Sequence, residues 1–239
     1  MPHRLAVPGV ALASGETVEI TGREAFHAVS VKRVRVGESV ELLDGTGTVG
    51  AGVVERAQSD RGRGDPRLLI RVSAVRVEAP GRPALRVFTA APKGDRLEQM
   101  IDQLAQVGAA TWGLLETARG VVEPREHKLE RVERIGHEAA KQCGRAHFLK
   151  IAGPRGVGSF AGPGVVVADA SGGPYAAGGL AELDVLVGPE GGFTDEELGT
   201  LRGAGARVAR FGPHVLRVET AAVVAAAVVL EVEGRGRAE

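Results

Sequence analysis

The chain has 239 residues, 44% of them hydrophobic but only 3% aromatic, so its material suits one large core or two small ones built from Val, Leu and Ala. Zero formal net charge argues against a uniformly basic polyanion binder, and 35 Gly and 12 Pro without a repeat period exclude a fibrous or low-complexity chain. A single cysteine, Cys143, excludes an internal disulfide and suits a reducing cytoplasm. The N-terminus carries no apolar signal-like core, and the longest apolar run, Ala221 to Leu230, is too short for a bilayer, so a cytoplasmic protein is expected.

Residues 1–78 read as short strands. Thr17–Ile20, Ser39–Leu43, Thr48–Glu55 and Leu68–Val77 alternate apolar and polar residues or are rich in Val, Ile and Thr. Asp44-Gly45 marks a hairpin turn, Gln58 to Pro66 a polar loop, and Glu24–Ser30 one short helix. A small β barrel or sandwich is expected.

From residue 79 to 239 strands and helices alternate. Strands are expected at Leu85–Thr89, Thr111–Leu115, Val165–Ala168, Val185–Val187 and Arg207–Phe211. Helices are expected at Arg96–Val107, Glu126–Gln142, Asp195–Arg202 and Glu219–Val232. Such alternation predicts an α/β fold with a mostly parallel sheet covered on both faces, its ligands held at the carboxyl ends of the strands. Thr220 to Leu230 is almost all Ala and Val, which predicts a helix buried on every side.

Charge is unevenly spread. Arg119 to Arg155 holds nine Lys or Arg against five Glu, whereas Glu182 to Leu198 holds six acids and no base. A neutral chain of this kind can still present one basic, RNA-facing surface.

Two segments carry the chemistry. In Val185-Leu-Val-Gly-Pro-Glu-Gly-Gly-Phe-Thr-Asp-Glu-Glu-Leu198 a buried strand runs into a glycine-rich turn, and Thr194 with Glu197 has capping-box spacing. No Gly-Lys-Ser/Thr follows, Gly-x-Gly-x-x-Gly is absent, and the acids would repel phosphate, so a neutral or cationic ligand fits better. Phe211-Gly-Pro-His-Val-Leu-Arg-Val-Glu-Thr-Ala-Ala222 is a second strand-to-helix loop, with Arg217 and Glu219 at its junction. The two Gly-Pro turns are expected to face each other across one pocket. No Cys/His cluster has metal-ligand spacing.

These two segments together resemble the SPOUT-class RNA methyltransferases, and most closely the ribosomal RNA small subunit methyltransferase E family, which methylates N3 of a uridine in 16S rRNA. The resemblance extends along the chain. His27 to Glu38 with Leu42-Leu-Asp-Gly45 is similar to that family's PUA-like RNA-binding domain, and Glu138 to Arg145 to its central motif. The chain differs at Gln103, Gln106, His214 and Val218, where the family usually carries Lys, Glu, Arg and Thr.

The resemblance implies a trefoil-knotted α/β domain after a PUA-like β domain, S-adenosylmethionine as cofactor, and a homodimer in which the last helix helps form the interface. It implies a cofactor pocket made by Asp169, Val187, Gly188, Glu190, Gly191 and Gly192 with Phe211, Val215, Leu216 and Arg217. Uridine N3 must lose a proton to be methylated, so Arg217 is the expected cation at the developing anion, and Glu219 is expected to orient it or take the proton. With few aromatics, contact with 16S rRNA, within the 30S subunit, is expected to rest on Arg33, Arg35, Arg119, Arg134, Lys141 and Arg145. Methylation of a different RNA nucleotide, and non-catalytic RNA binding in ribosome assembly, are the alternatives; the intact glycines argue against the second.

Overall fold

A computed structural model describes residues 2–58, 66–120 and 126–235. The chain divides into two compact units, Met1–Pro80 with Ala140–Phe148, and Gly81–Ala139 with Leu149–Glu239. Positions 59–65, most of the expected polar loop, and 121–125 of the basic stretch lie outside the described residues.

In the first unit, β1 (His3–Ala6), β2 (Thr17–Ile20), β3 (Ser39–Leu43), β4 (Thr48–Gln58) and β5 (Arg67–Val77) form a sheet of order β1-β3-β4-β5-β2. β1 pairs parallel to β3, and the other pairs are antiparallel. Alternate residues turn inward, so Leu5, Val18, Ile20, Val40, Leu42, Leu68, Ile70 and Val72 make the core. Helix α1 (Gly22–Phe26) adds Ala25 to it, and a π-helical turn (His27–Val31) adds Ala28.

The hairpin between β3 and β4 is fixed by Asp44, whose Oδ1 accepts the Thr46 and Thr48 amides at 2.8 Å each. Burial pushes the Asp44 carboxyl up, but hydrogen bonds from Thr46 and Thr48 outweigh it and hold it below the usual value. Against this hairpin lies Ala140–Phe148, with Ala140, Ala146 and Phe148 packed on Leu43 and Val49.

The second unit holds β6 (Ala84–Thr89), α2 (Arg96–Val107), β7 (Thr111–Glu116), α3 (Glu126–Cys143, its last turn grouped with the first unit), β8 (Lys150–Gly156), β9 (Val165–Pro174), β10 (Glu182–Val187), α4 (Asp195–Gly203), β11 (Arg207–Arg210) and α5 (Val218–Arg235). The six strands run β11-β9-β10-β6-β7-β8, every pair parallel. Period-two alternation sorts the side chains. Leu85, Val87, Val166, Val185 and Val187 face α2, α3 and α5, whereas Phe88, Val165, Val167 and Leu186 pack with Leu198 and Leu201 of α4. Trp112 is fully buried and donates Nε1–H to Thr89 Oγ1 at 3.1 Å. Asp184 of β10 and Arg86 of β6, opposite each other in register, form a two-pronged ion pair with Nη2–Oδ2 at 3.0 Å.

Three features differ from the sequence reading. β1 is too short to show a period. β8 contains Gly153 and Pro154, which break the strand pattern but are tolerated because β8 is an edge strand. Helix α5 is not buried on every side: Val218, Ala222, Ala225, Ala226, Val229 and Glu233 are covered, whereas Val223, Val224 and Val228 on the remaining face are half-buried and Ala227 is exposed.

Candidate active site

The carboxyl ends of β9, β10 and β11 open into one pocket of about 400 Å³. The opening begins as a break in the ladder. β11 pairs with β9 at Val166 and Val167 and resumes at Gly173 and Pro174, so residues 168–172 of β9 have no partner on β11, although Ala168 still pairs with Val187 of β10. A Cβ on Gly172 would lie 2.5 Å from the Val208 carbonyl oxygen, so this rejoining requires glycine. Asp169, in the excursion, accepts the Ser171 amide at 2.8 Å.

After β10, Gly192 N–H donates to the Pro189 carbonyl at 2.8 Å and closes a turn, with Gly192 left-handed at φ +68°. Thr194 and Glu197 form the expected capping box and start α4. Glu197 does a second job: its Oε1 accepts the Ala118 amide at 2.7 Å, which ties the segment after β7 to this turn. Arg119 completes the tie by donating to the carbonyls of Gly191 and Phe193.

The structure brings nine of the expected residues to this pocket: Asp169, Val187, Gly188, Glu190, Gly191, Gly192, Phe211, Val215 and Leu216. Val187, Phe211 and Leu216 are apolar walls, Asp169 and Glu190 supply carboxylates, Arg210 adds one cation and His214 stands at the edge. Val215 is 88% exposed, an unusual state for a large apolar side chain.

Arg217 and Glu219 are not among the lining residues. Arg217 is exposed. Glu219, in the first turn of α5, places Oε1 3.6 Å from Arg96 Nε, and its buried Oε2 has no hydrogen-bond partner. The expected Arg217–Glu219 pair is therefore replaced by an Arg96–Glu219 pair between α2 and α5.

The expected RNA contacts separate into three kinds. Arg33, Arg35 and Arg134 are exposed. Arg119 is exposed, but its guanidinium is committed to the glycine turn. Lys141 does not face solvent: 3% of its side chain is exposed, and Nζ lies 2.9 Å from both Glu24 oxygens. Arg145 is half-buried, and burial lowers its pKa below the ordinary guanidinium value. Lys141 is thus a structural cation of the first unit, paired with Glu24 where the end of α3 packs into that unit.

Sequence reasoning missed Glu233. Its carboxylate is 1% exposed and accepts Tyr175 O–H at 2.6 Å, Gly178 N–H at 2.8 Å and Gly179 N–H at 2.9 Å. The available signal was an acid near the C-terminal end of an Ala/Val helix, where the helix dipole disfavours negative charge.

Among the described residues no group of His, Cys, Asp or Glu could hold a metal, and no helix is long and apolar enough to cross a membrane. Residues 80–230 match the family model for an RNA methyltransferase domain, and residues 20–63 the model for an RNA methyltransferase PUA domain. The chain is 35% identical over 229 residues to ribosomal RNA small subunit methyltransferase E of Mycobacterium bovis, covering 89% of this chain and 85% of that protein. It is 31% identical over 240 residues to the protein of the same description from Synechocystis, covering 95% and 77%. A putative methyltransferase from Legionella pneumophila, solved with bound cofactor SAM, superposes with a TM-score of 0.83 at 25% identity, covering 97% of each chain.

Proposed function

We infer the reaction from one premise: this chain belongs to the ribosomal RNA small subunit methyltransferase E family. It is an S-adenosylmethionine-dependent rRNA methyltransferase with an N-terminal PUA domain. The finer reading proposed is methylation of N3 of one uridine in 16S rRNA of the 30S subunit, in the cytoplasm. The observation that carries it is the single pocket joining both glycine turns at the strand ends.

The lining suits this cofactor. Two carboxylates, Asp169 and Glu190, complement a ligand bearing ammonium and sulfonium charges, while Val187, Phe211 and Leu216 offer apolar surface to a purine. When bound, S-adenosylmethionine supplies a methyl group already activated by its sulfonium.

The chain's own residues must then present the base and handle one proton. Arg217, exposed beside the second glycine turn, is the proposed cation at the uracil oxygens, where it lowers the cost of the anion left when N3–H ionises. Glu219, with one oxygen unpartnered, is the proposed proton acceptor, held by Arg96. Arg33, Arg35 and Arg134 are the proposed phosphate contacts.

A homodimer is part of the same reading, supported by the half-buried Val223, Val224 and Val228 face of α5. A trefoil knot in the second unit belongs to the same reading, through the family resemblance.

The test is methyl transfer to 30S subunits from a strain lacking this activity, with the product nucleoside identified by mass spectrometry. N3-methyluridine is expected; another methylated nucleoside would move the target, and cofactor binding without transfer would make the chain a binding factor. Arg217→Ala should keep RNA affinity and lose the single-turnover rate. If it loses RNA binding and keeps the rate at saturating RNA, Arg217 does not act in the chemical step.

A further inference from the structure

We propose that Glu233 and Tyr175 are positioning residues for the cofactor pocket, acting on its Phe211 wall from outside the pocket. The inference rests on the reading of that pocket as the S-adenosylmethionine site.

Glu233 is unfavourably placed. Glu233 lies at the C-terminal end of α5, where the helix dipole repels an acid, and it is 1% exposed, where desolvation penalises the charge. Three donors offset this, and all belong to the connection between β9 and β10: Tyr175 O–H, Gly178 N–H and Gly179 N–H. The carboxylate thus fixes a surface connection to the end of the helix. An apolar side chain would fill the same space without the desolvation cost, but it could not hold backbone amides.

The connection leads to the pocket. The Tyr175 ring stacks on Phe211, with centroids 5.6 Å apart and planes 25° from parallel, and Phe211 lines the pocket. Arg207 of β11 steadies the arrangement: its guanidinium lies 5.4 Å from the Tyr175 centroid and donates to the carbonyls of Pro163 and Ala176. Tyr175 therefore has its hydroxyl fixed by Glu233, one neighbour in Phe211 and a cation nearby. Its ring angle sets where the Phe211 ring can rest. Consistent with this, burial together with the Glu233 hydrogen bond pushes the Tyr175 hydroxyl up to about 12.

The experiment is isothermal calorimetry of S-adenosylmethionine binding to the full chain and to Glu233→Gln and Tyr175→Phe, well below the melting temperature of each. Tyr175→Phe keeps the ring and removes only the hydroxyl, so it tests the inference if Glu233→Gln does not fold. Trp112 emission reports the fold of the second unit. Each variant should bind roughly tenfold more weakly or worse. RNA affinity should be unchanged. In a Phe211→Leu background, Glu233→Gln should add no further loss. Folded variants with lowered melting temperatures but wild-type affinity would make Glu233 merely structural and overturn the proposal. Failure of the wild-type chain to bind S-adenosylmethionine would instead sink the reading of the pocket, a result distinguishable from the first.

Discussion

Lys141 and Arg33 are both cations of the first unit, in opposite situations. The Lys141 ammonium is buried against Glu24, which also accepts the Ala6 amide at 3.0 Å, so one carboxylate joins β1, α1 and the end of α3. Removing the lysine leaves a largely buried acid unpaired. Lys141→Ala should therefore destabilise the protein by about 3 kcal/mol in denaturant unfolding, the low end for a buried pair because Glu24 is partly exposed. The salt dependence of its RNA binding should not change. Arg33→Ala and Arg35→Ala should do the reverse, leaving stability within about 0.5 kcal/mol and flattening the salt dependence by about one unit of slope. A Lys141 variant of normal stability and weakened RNA binding would reverse the assignment. Arg119 teaches the same lesson, since its charge and exposure suggest RNA while its hydrogen bonds hold Gly191 and Phe193.

At the scale of elements, α5 is two-sided. Its covered face packs on the sheet, and Val224 on the other face is only half-buried in one chain. Val224→Glu should leave the monomer fold intact and abolish self-association, as read by sedimentation; a dimer of normal stability would show that α5 lies outside the interface. Most elements are legible where a periodicity is sustained. The apolar positions Leu97, Met100, Ile101 and Leu104 mark α2, and Thr194 with Glu197 marks the start of α4. The second half of β9, Asp169 to Pro174, reads as a loop because it pairs with β11 only after a break in register. The glycine turns are legible because closed turns and left-handed backbone select glycine locally. Arg119 and Glu233 are not, because their partners, mostly backbone groups, lie far along the chain, and sequence spacing carries no trace of such contacts.

Across the whole molecule, acid and alkali should loosen the same junction, the hydrogen bond from Tyr175 to Glu233, through its two different ends. Burial pushes the Glu233 carboxyl up, but hydrogen bonds from Tyr175, Gly178 and Gly179 hold it below its ordinary 4.5. A depressed folded value means that its stabilisation is complete above pH 4.5 and fades as pH falls below it. Tyr175 is shifted the other way, from 10.0 to about 12, so its contribution is complete below pH 10.0 and fades as pH climbs toward 12. It is the chain's one tyrosine, so tyrosinate absorbance follows it alone. Glu233→Gln should flatten the acid dependence of stability detected through Trp112 and lower the tyrosinate midpoint. A midpoint unmoved by the substitution would mean that the hydroxyl's high value owes nothing to Glu233.

The return of Ala140–Phe148 to the first unit bears on how the protein is made. Phe148 lies against Gly45 so closely that a Cβ there would come within 2.5 Å of its ring, and Ala140 and Ala146 complete the apolar cluster with Leu43 and Val49. The first unit therefore lacks part of its interior when Pro80 leaves the ribosomal exit tunnel, and translation must continue through Phe148 before that interior can close. During that interval Leu43 and Val49 await partners not yet synthesised, which gives a nascent-chain chaperone a defined window in which to act. A gene fragment ending at Pro80 would encode a domain with its hairpin uncovered, and recombination that exchanges the N-terminal segment alone would part Gly45 from the aromatic ring that matches it.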